Sequence, residues 1–181
     1  MDPVSLFKIV KERLNKAGIE YMLTGGIAVS FWGSPRTTHD VDIVIEAKKE
    51  DKNKIVNLFK KDFYISPEAV EDAIENRFTF NIIHLKNGLK VDFWLVKKDS
   101  FGQTEFKRKL KKKIFGEEIF IISPEDLILS KLMAYKETSS HLRLEDAKSI
   151  LMTSKVDLEY IREWAKQQST TEILEKILKK K

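Results

Sequence analysis

Between Met22 and Glu46 the chain reads MLTGGIAVSFWGSPRTTHDVDIVIE, and two features in it have chemical potential. The first is Asp40-Val41-Asp42 at the head of the apolar run Val41–Ile45. Alternate residues of a strand share a face, so the spacing puts both carboxylates side by side and turns Val41, Ile43 and Ile45 the other way. Two bare carboxylates that close repel, and one resists ionising. A divalent cation removes the conflict and suits hard oxygen ligands. The second feature is Gly25-Gly26, at the junction of a short strand and a helix. Without Cβ atoms these residues let backbone N–H groups approach an anion, where the helix dipole also favours phosphate. A metal-binding carboxylate pair beside a phosphate cradle points to a nucleoside triphosphate.

The elements that must position these residues follow from the pattern of the chain. Asp2 and Pro3 open a helix with Leu6, Val10, Leu14 and Ala17 at helical spacing, which Gly18 ends. Ile19–Thr24 is expected as a strand, residues 27–32 as a short helix and 40–45 as the carboxylate-bearing strand. Lys48–Lys61 and Pro67–Ile74 are expected helices. Two strands, 78–85 and 89–96, flank Lys86-Asn87-Gly88, a strong hairpin signal. The second of them, LKVDFWLV, holds Asp92 as a lone carboxylate in an apolar run. Charged groups are rarely buried without a partner. If the hairpin lies beside the Asp40 strand, Asp92 joins the same cluster.

Phe106, Leu110 and Ile114 predict a helix whose other faces carry Lys107, Arg108, Lys109, Lys111, Lys112 and Lys113. A strand at 118–122 follows. Ser123-Pro124-Glu125-Asp126 then marks a helix start, and that helix carries Lys131 among apolar neighbours. Further helices are expected over 144–152, 158–167 and 170–179. Strands thus cease near residue 122, which divides the chain into a catalytic domain, 1–122, and a C-terminal helical subdomain, 123–181.

Composition bounds the function. The chain has 181 residues, 42% hydrophobic and 34% charged, a net charge of +5 and no cysteine. That describes a soluble globular protein without disulfides or a thiolate metal site. No apolar run reaches membrane-span length and no signal-peptide core opens the chain, so a cytoplasmic location and no membrane partner are expected.

At these residues the chain resembles the nucleotidyltransferase superfamily that includes DNA polymerase beta and the aminoglycoside nucleotidyltransferases. The order GG, Pro-Arg-x-Thr and D-x-D in GGIAVSFWGSPRTTHDVDIVI, with SPEDLILSKLMAYKE and RLEDAKSIL later, is similar to the AbiEii-type and related prokaryotic members. The resemblance implies an α/β (α+β) nucleotidyltransferase fold: a mixed β-sheet flanked by helices. It also implies transfer of a nucleoside monophosphate from a nucleoside triphosphate, dependent on Mg²⁺ or Mn²⁺. Asp40 and Asp42 would hold the metal; Asp92 would hold metal and activate the acceptor. Gly25 and Gly26, with Arg36 and Lys131, would contact phosphate, although Arg36 equally suits a solvated loop and Lys131 can snorkel to solvent. Many superfamily members have Gly-Ser where this chain has Gly25-Gly26, which removes a hydroxyl and keeps the backbone donors. The acceptor is left open among a small molecule, RNA and a protein. A toxin-type enzyme acting on tRNA, with an antitoxin partner, is one alternative, supported only by the basic helix. A catalytically inactive nucleotide- or protein-binding module is another, and a nucleic-acid-binding module without chemistry is a third. The metal reading requires Asp40, Asp42 and Asp92 to converge, with Gly25 and Gly26 facing them.

Overall fold

The computed structural model describes residues 1–114 and 116–179. Contacts divide the chain into two compact units: residues 1–27 with 37–121, and residues 28–36 with everything from Ile122 on.

The first unit is built on a seven-stranded mixed sheet, in the order β3-β4-β5-β2-β1-β7-β6. In chain order it contains α1 (Pro3–Lys16), β1 (Tyr21–Thr24), the start of α2 (Gly25–Trp32), β2 (Val41–Ile45) and α3 (Lys52–Phe59). It continues with β3 (Phe63–Tyr64), α4 (Pro67–Asn76), β4 (Thr79–His84), β5 (Lys90–Leu95), α5 (Ser100–Lys107), β6 (Leu110–Ile114) and β7 (Glu117–Ile121). The fold class is the expected one, a mixed α/β sheet with helices. The sheet's inner face follows from alternation: Val41, Ile43 and Ile45 of β2 and Val91, Phe93 and Leu95 of β5 are buried. Phe93 stacks on Phe80 of β4 at 4.9 Å and meets Phe59 of α3 at 5.7 Å. Helices α1 and α4 lie against this sheet, α1 on β2 and α4 on β4 and β5. Each such apolar side chain contributes about 1.5–3 kcal/mol by burial.

The helix starts are written locally. Asp2 accepts from Ser5 N–H at 3.0 Å, Ser66 from Ala69 N–H at 3.1 Å and Ser123 from Asp126 N–H at 3.1 Å, and each is followed by proline. Lys86-Asn87-Gly88 turns the β4–β5 hairpin with Gly88 at φ +69°.

One expected element is wrong. The helix predicted over 106–114 does not form: α5 ends at Lys107, and Leu110–Ile114 is β6, antiparallel to β7. The spacing of four that suggested a helix is also a multiple of two, so it fits a strand equally well. The lysines therefore do not line a helix face. Lys111, Lys112 and Lys113 lie exposed on the strand that ends the sheet, and Lys111 pairs with Glu118 at 2.7 Å. Lysines on an edge strand discourage pairing with another chain.

The second unit is helical: the rest of α2, α6 (Pro124–Thr138), α7 (His141–Thr153), α8 (Leu158–Gln167) and α9 (Thr171–Leu178). The start of α6 is fixed by buried Asp126, which accepts from Ser123 Oγ and from Tyr160 Oη of α8, both at 2.6 Å. Trp32 ties the end of α2 into the same unit. Its indole donates to Ile122 O at 2.9 Å, and its own carbonyl accepts from Thr153 Oγ1 and Ser154 Oγ at 2.6 Å each. Among the described residues no helix is long and apolar enough to cross a membrane.

The Asp126–Tyr160 bond generates a stability prediction. Tyr160→Phe keeps the ring and removes a hydrogen bond to a buried carboxylate. It should lower the unfolding free energy by roughly 1–3 kcal/mol in urea titrations.

Candidate functional site

Strand pairing assembles the site. Strands β2 and β5 are parallel and in register, with Val41 opposite Val91 and Asp42 opposite Asp92. Residues directly opposite share a face. Thr24 of β1 lies opposite Asp42, and Asn81 of β4 opposite Asp92. Thr24, Asp42, Asp92 and Asn81 thus form one polar row across four strands, on the face away from Ile43 and Phe93. Asp40 immediately precedes β2, so it belongs to the same face as Asp42. Its side chain is half exposed and that of Asp92 about one-fifth. Thr38 Oγ1 donates to the Asp40 carbonyl at 3.2 Å.

Gly25 shapes one wall. It opens α2 directly after β1, with φ at +64°. A Cβ built there would overlap the Asp42 carboxylate. The glycine therefore serves two needs: a left-handed backbone and room for Asp42 against the first turn of α2. Gly26 is buried in the same turn. On the other side of Asp42, Trp94 Nε1 donates to its Oδ1 at 3.3 Å, and the Trp94 ring meets Phe78 edge-on at 6.5 Å.

The sequence reading missed Lys90. Its ammonium lies 2.9 Å from Asp92 Oδ2 and 3.9 Å from Asp40 Oδ1. The hydrogen bond that Lys90 donates to Asp92 holds the Lys90 pKa above the ordinary lysine range; partial burial opposes this, and the charges of Asp92, Asp40 and Asp42 reinforce it. The signal was available: Lys90 precedes Asp92 by two and so shares its face. It acquires meaning only once β5 is known to pair with β2.

Three carboxylates without thiol or imidazole make a hard oxygen donor set, which fits Mg²⁺ or Mn²⁺ in kind. Among the described residues, no three such ligands are gathered closely enough to hold an ion as they stand. Two of the three instead face the Lys90 ammonium. The structure brings Asp40, Asp42 and Asp92 to one face but does not close them round one point.

Arg36 and Lys131 both lie in the helical unit, where they converge on Asp146 of α7. Arg36 grips it with two donors, Nε to Oδ1 at 2.9 Å and Nη2 to Oδ2 at 3.2 Å. Lys131 Nζ donates to Oδ2 at 2.8 Å. Asp146 and Lys131 are almost wholly buried. Burial pushes the Lys131 pKa down, and the bond to Asp146 opposes that shift. The Arg36 backbone is fixed by Ser30, whose hydroxyl accepts from Arg36 N–H at 3.3 Å and donates to Arg36 O at 3.2 Å. Arg143, by contrast, is exposed.

A mixed sheet whose paired strands carry carboxylates next to a glycine turn defines a nucleotidyltransferase. The particular family is shown by sequence: the model of the aminoglycoside-2''-adenylyltransferases matches residues 6–126, more than half the chain, and the chain belongs to that family. No curated protein matches it by sequence. Solved structures share the fold. The antibiotic-resistance factor ANT(2'')-Ia aligns with a TM-score of 0.61 at 12% identity, covering 95% of this chain and 94% of its own. An antigenic nucleotidyltransferase-like protein from Paracoccidioides brasiliensis gives 0.54 at 18% identity, covering 81% of this chain and 73% of its own. The lincosamide antibiotic adenylyltransferase LnuA, solved with lincomycin, gives 0.52 at 15%, covering 80% and 95%.

Two predictions follow from the geometry. Gly25→Ala places a methyl group where Asp42 sits and strains a left-handed residue, at a cost on the order of 1–3 kcal/mol. Activity should fall further than the melting temperature accounts for, measured as turnover at a temperature where the variant is fully folded. Asp146→Asn leaves Lys131 and Arg36 facing a neutral amide, and should cost about 3 kcal/mol of unfolding free energy by denaturant titration.

Proposed function

We propose that the protein transfers a nucleoside monophosphate, AMP foremost, from a nucleoside triphosphate to a hydroxyl of a small polyhydroxylated acceptor, with Mg²⁺ or Mn²⁺. The observation that carries this reading is the in-register pairing of Asp42 with Asp92, with Asp40 at the head of the same strand. The acceptor hydroxyl oxygen bonds to the α-phosphorus, the bond from that phosphorus to the α–β bridging oxygen breaks, and pyrophosphate leaves. Asp40 and Asp42 are the metal-holding residues. Asp92 stands on the acceptor side, holding metal and receiving the proton of the attacking hydroxyl. A bound divalent cation supplies positive charge to the attacking and leaving oxygens. Gly25 and Gly26 offer the opening turn of α2 to phosphate. Arg36 is the phosphate ligand of the helical unit: its side chain is 27% exposed, against 5% for Lys131. Lys131 holds Asp146, which in turn aims Arg36.

The small-molecule acceptor and the adenine base are supported by the family's description and by ANT(2'')-Ia, solved with adenylyl-2''-tobramycin. The RNA-directed alternative rested on a basic helix over 106–114, and three of its lysines, Lys111, Lys112 and Lys113, instead lie on the edge strand β6.

The test is pyrophosphate release from each nucleoside triphosphate with Mg²⁺ or Mn²⁺, across aminoglycosides, lincosamides and total RNA. ATP with a small-molecule acceptor should give the fastest release. Asp42→Asn and Asp92→Asn should each lower turnover by roughly a hundredfold or more, the scale of losing one transition-state charge contact. Asp92→Asn should keep much of the nucleotide affinity by calorimetry. Release with RNA alone would favour the tRNA-directed reading, and tight nucleotide binding without release would favour an inactive binder.

A further inference from the structure

We propose that Lys90 is an exchangeable counterion of the carboxylate cluster, whose ammonium must leave Asp92 and Asp40 before a divalent cation can settle there. The inference rests on the metal-dependent reading above and adds to it a residue that controls entry of the ion.

Three observations carry it. The Lys90 ammonium already stands at the site, 2.9 Å from Asp92 and 3.9 Å from Asp40. A divalent cation held by Asp92 and Asp40 would lie close to the ammonium and repel it, so the two cations would compete for these carboxylates. Lys90 has somewhere to go: its side chain is 36% exposed, on a flexible stem beside open solvent. The carboxylates also require a cation in every state. Asp42 and Asp92 are opposite neighbours in register, and like charges directly opposite destabilise a sheet. A lysine two residues before Asp92 offsets this repulsion while no metal is bound. Asp40, Asp42 and Asp92 carry three negative charges to the one positive charge of Lys90, so these four residues together still attract a divalent ion.

The consequence is a threshold. The nucleotide-free protein binds metal more weakly than its carboxylates alone would, because each binding event must break the Lys90 contacts. An exposed pair is screened, so the effect is moderate.

The experiment is Mn²⁺ titration by calorimetry, without nucleotide, of the wild-type chain, Lys90→Met and Lys86→Met. Lys86 lies exposed in the β4–β5 turn and serves as the control for bulk charge. Lys90→Met should tighten Mn²⁺ binding about three- to tenfold, the range expected for losing a screened competing charge. Lys86→Met should leave it within experimental error. Should Lys90→Met fail to fold, Lys90→Gln carries the same test. Equal affinity of wild type and the Lys90 variant overturns the role of Lys90 and leaves the metal-dependent function standing. An equal rise in both lysine variants reduces the effect to net charge and also overturns it. No Mn²⁺ binding by any of the proteins overturns the metal-dependent reading itself, and the inference with it.

Discussion

The parallel pairing of β2 with β5 is the constraint on which the rest depends. It brings together residues fifty apart in sequence and sets Asp42 beside Asp92. A slip of one residue would send one carboxylate to the opposite face. The register is enforced from that opposite face. Val41, Ile43 and Ile45 and their partners Val91, Phe93 and Leu95 are nearly inaccessible to solvent, and a slip would expose three of them. The apolar core and the polar row are two readings of the same strands. Burial on one side supplies the free energy that holds like charges together on the other.

Holding them there takes further devices, each of which lowers a cost. Gly25 gives up its side chain so that Asp42 can lie against the opening turn of α2. Trp94 gives Asp42 a hydrogen bond from the neighbouring strand. Lys90 neutralises part of the charge on Asp92 and Asp40. A bare pair of carboxylates, as the sequence presents Asp40 and Asp42, would gain stability from losing one member. With Lys90 between Asp40 and Asp92 that gain shrinks, because removing a carboxylate also removes a partner of the ammonium. Sites built for chemistry commonly carry such local conflicts, which the surrounding fold offsets.

What was legible in the sequence was local. Caps at Asp2 and Ser123, the Asn87-Gly88 turn and the alternation around Asp42 and Asp92 depend on residues a few positions apart. Each emerged near its expected place. The superfamily was legible from the same segments, since its motifs are local too; the family match names the aminoglycoside group and adds nothing to the AbiEii-type likeness. The illegible parts were long-range. Strand β6 was read as a helix because a spacing of four satisfies both periodicities, and only its pairing with β7 decides. The two-residue β3 is too short to show alternation. Lys90 reads as a surface lysine beside a turn until β5 is placed next to β2.

Asp146 is the harder case. Nothing near it in sequence distinguishes it from Glu145, the other acid of α7, and its proximity to Arg143 suggests a charge pair at the helix start. The structure gives it to Arg36, 110 residues away, and to Lys131. The arrangement inverts that of the sheet. There two carboxylates share one ammonium; here two cations share one carboxylate, with Lys131 and Asp146 out of reach of water. A buried ion pair contributes little net stability over an apolar pair of the same size. What it offers is direction. The bidentate grip on Asp146 and the Ser30 bonds fix both ends of Arg36, while more than a quarter of its side chain stays open to solvent. A guanidinium held this way loses little further entropy on meeting a phosphate, whereas a free surface arginine would lose much more. On the proposed reading of Arg36 as a phosphate ligand, burying Lys131 is the cost of aiming it.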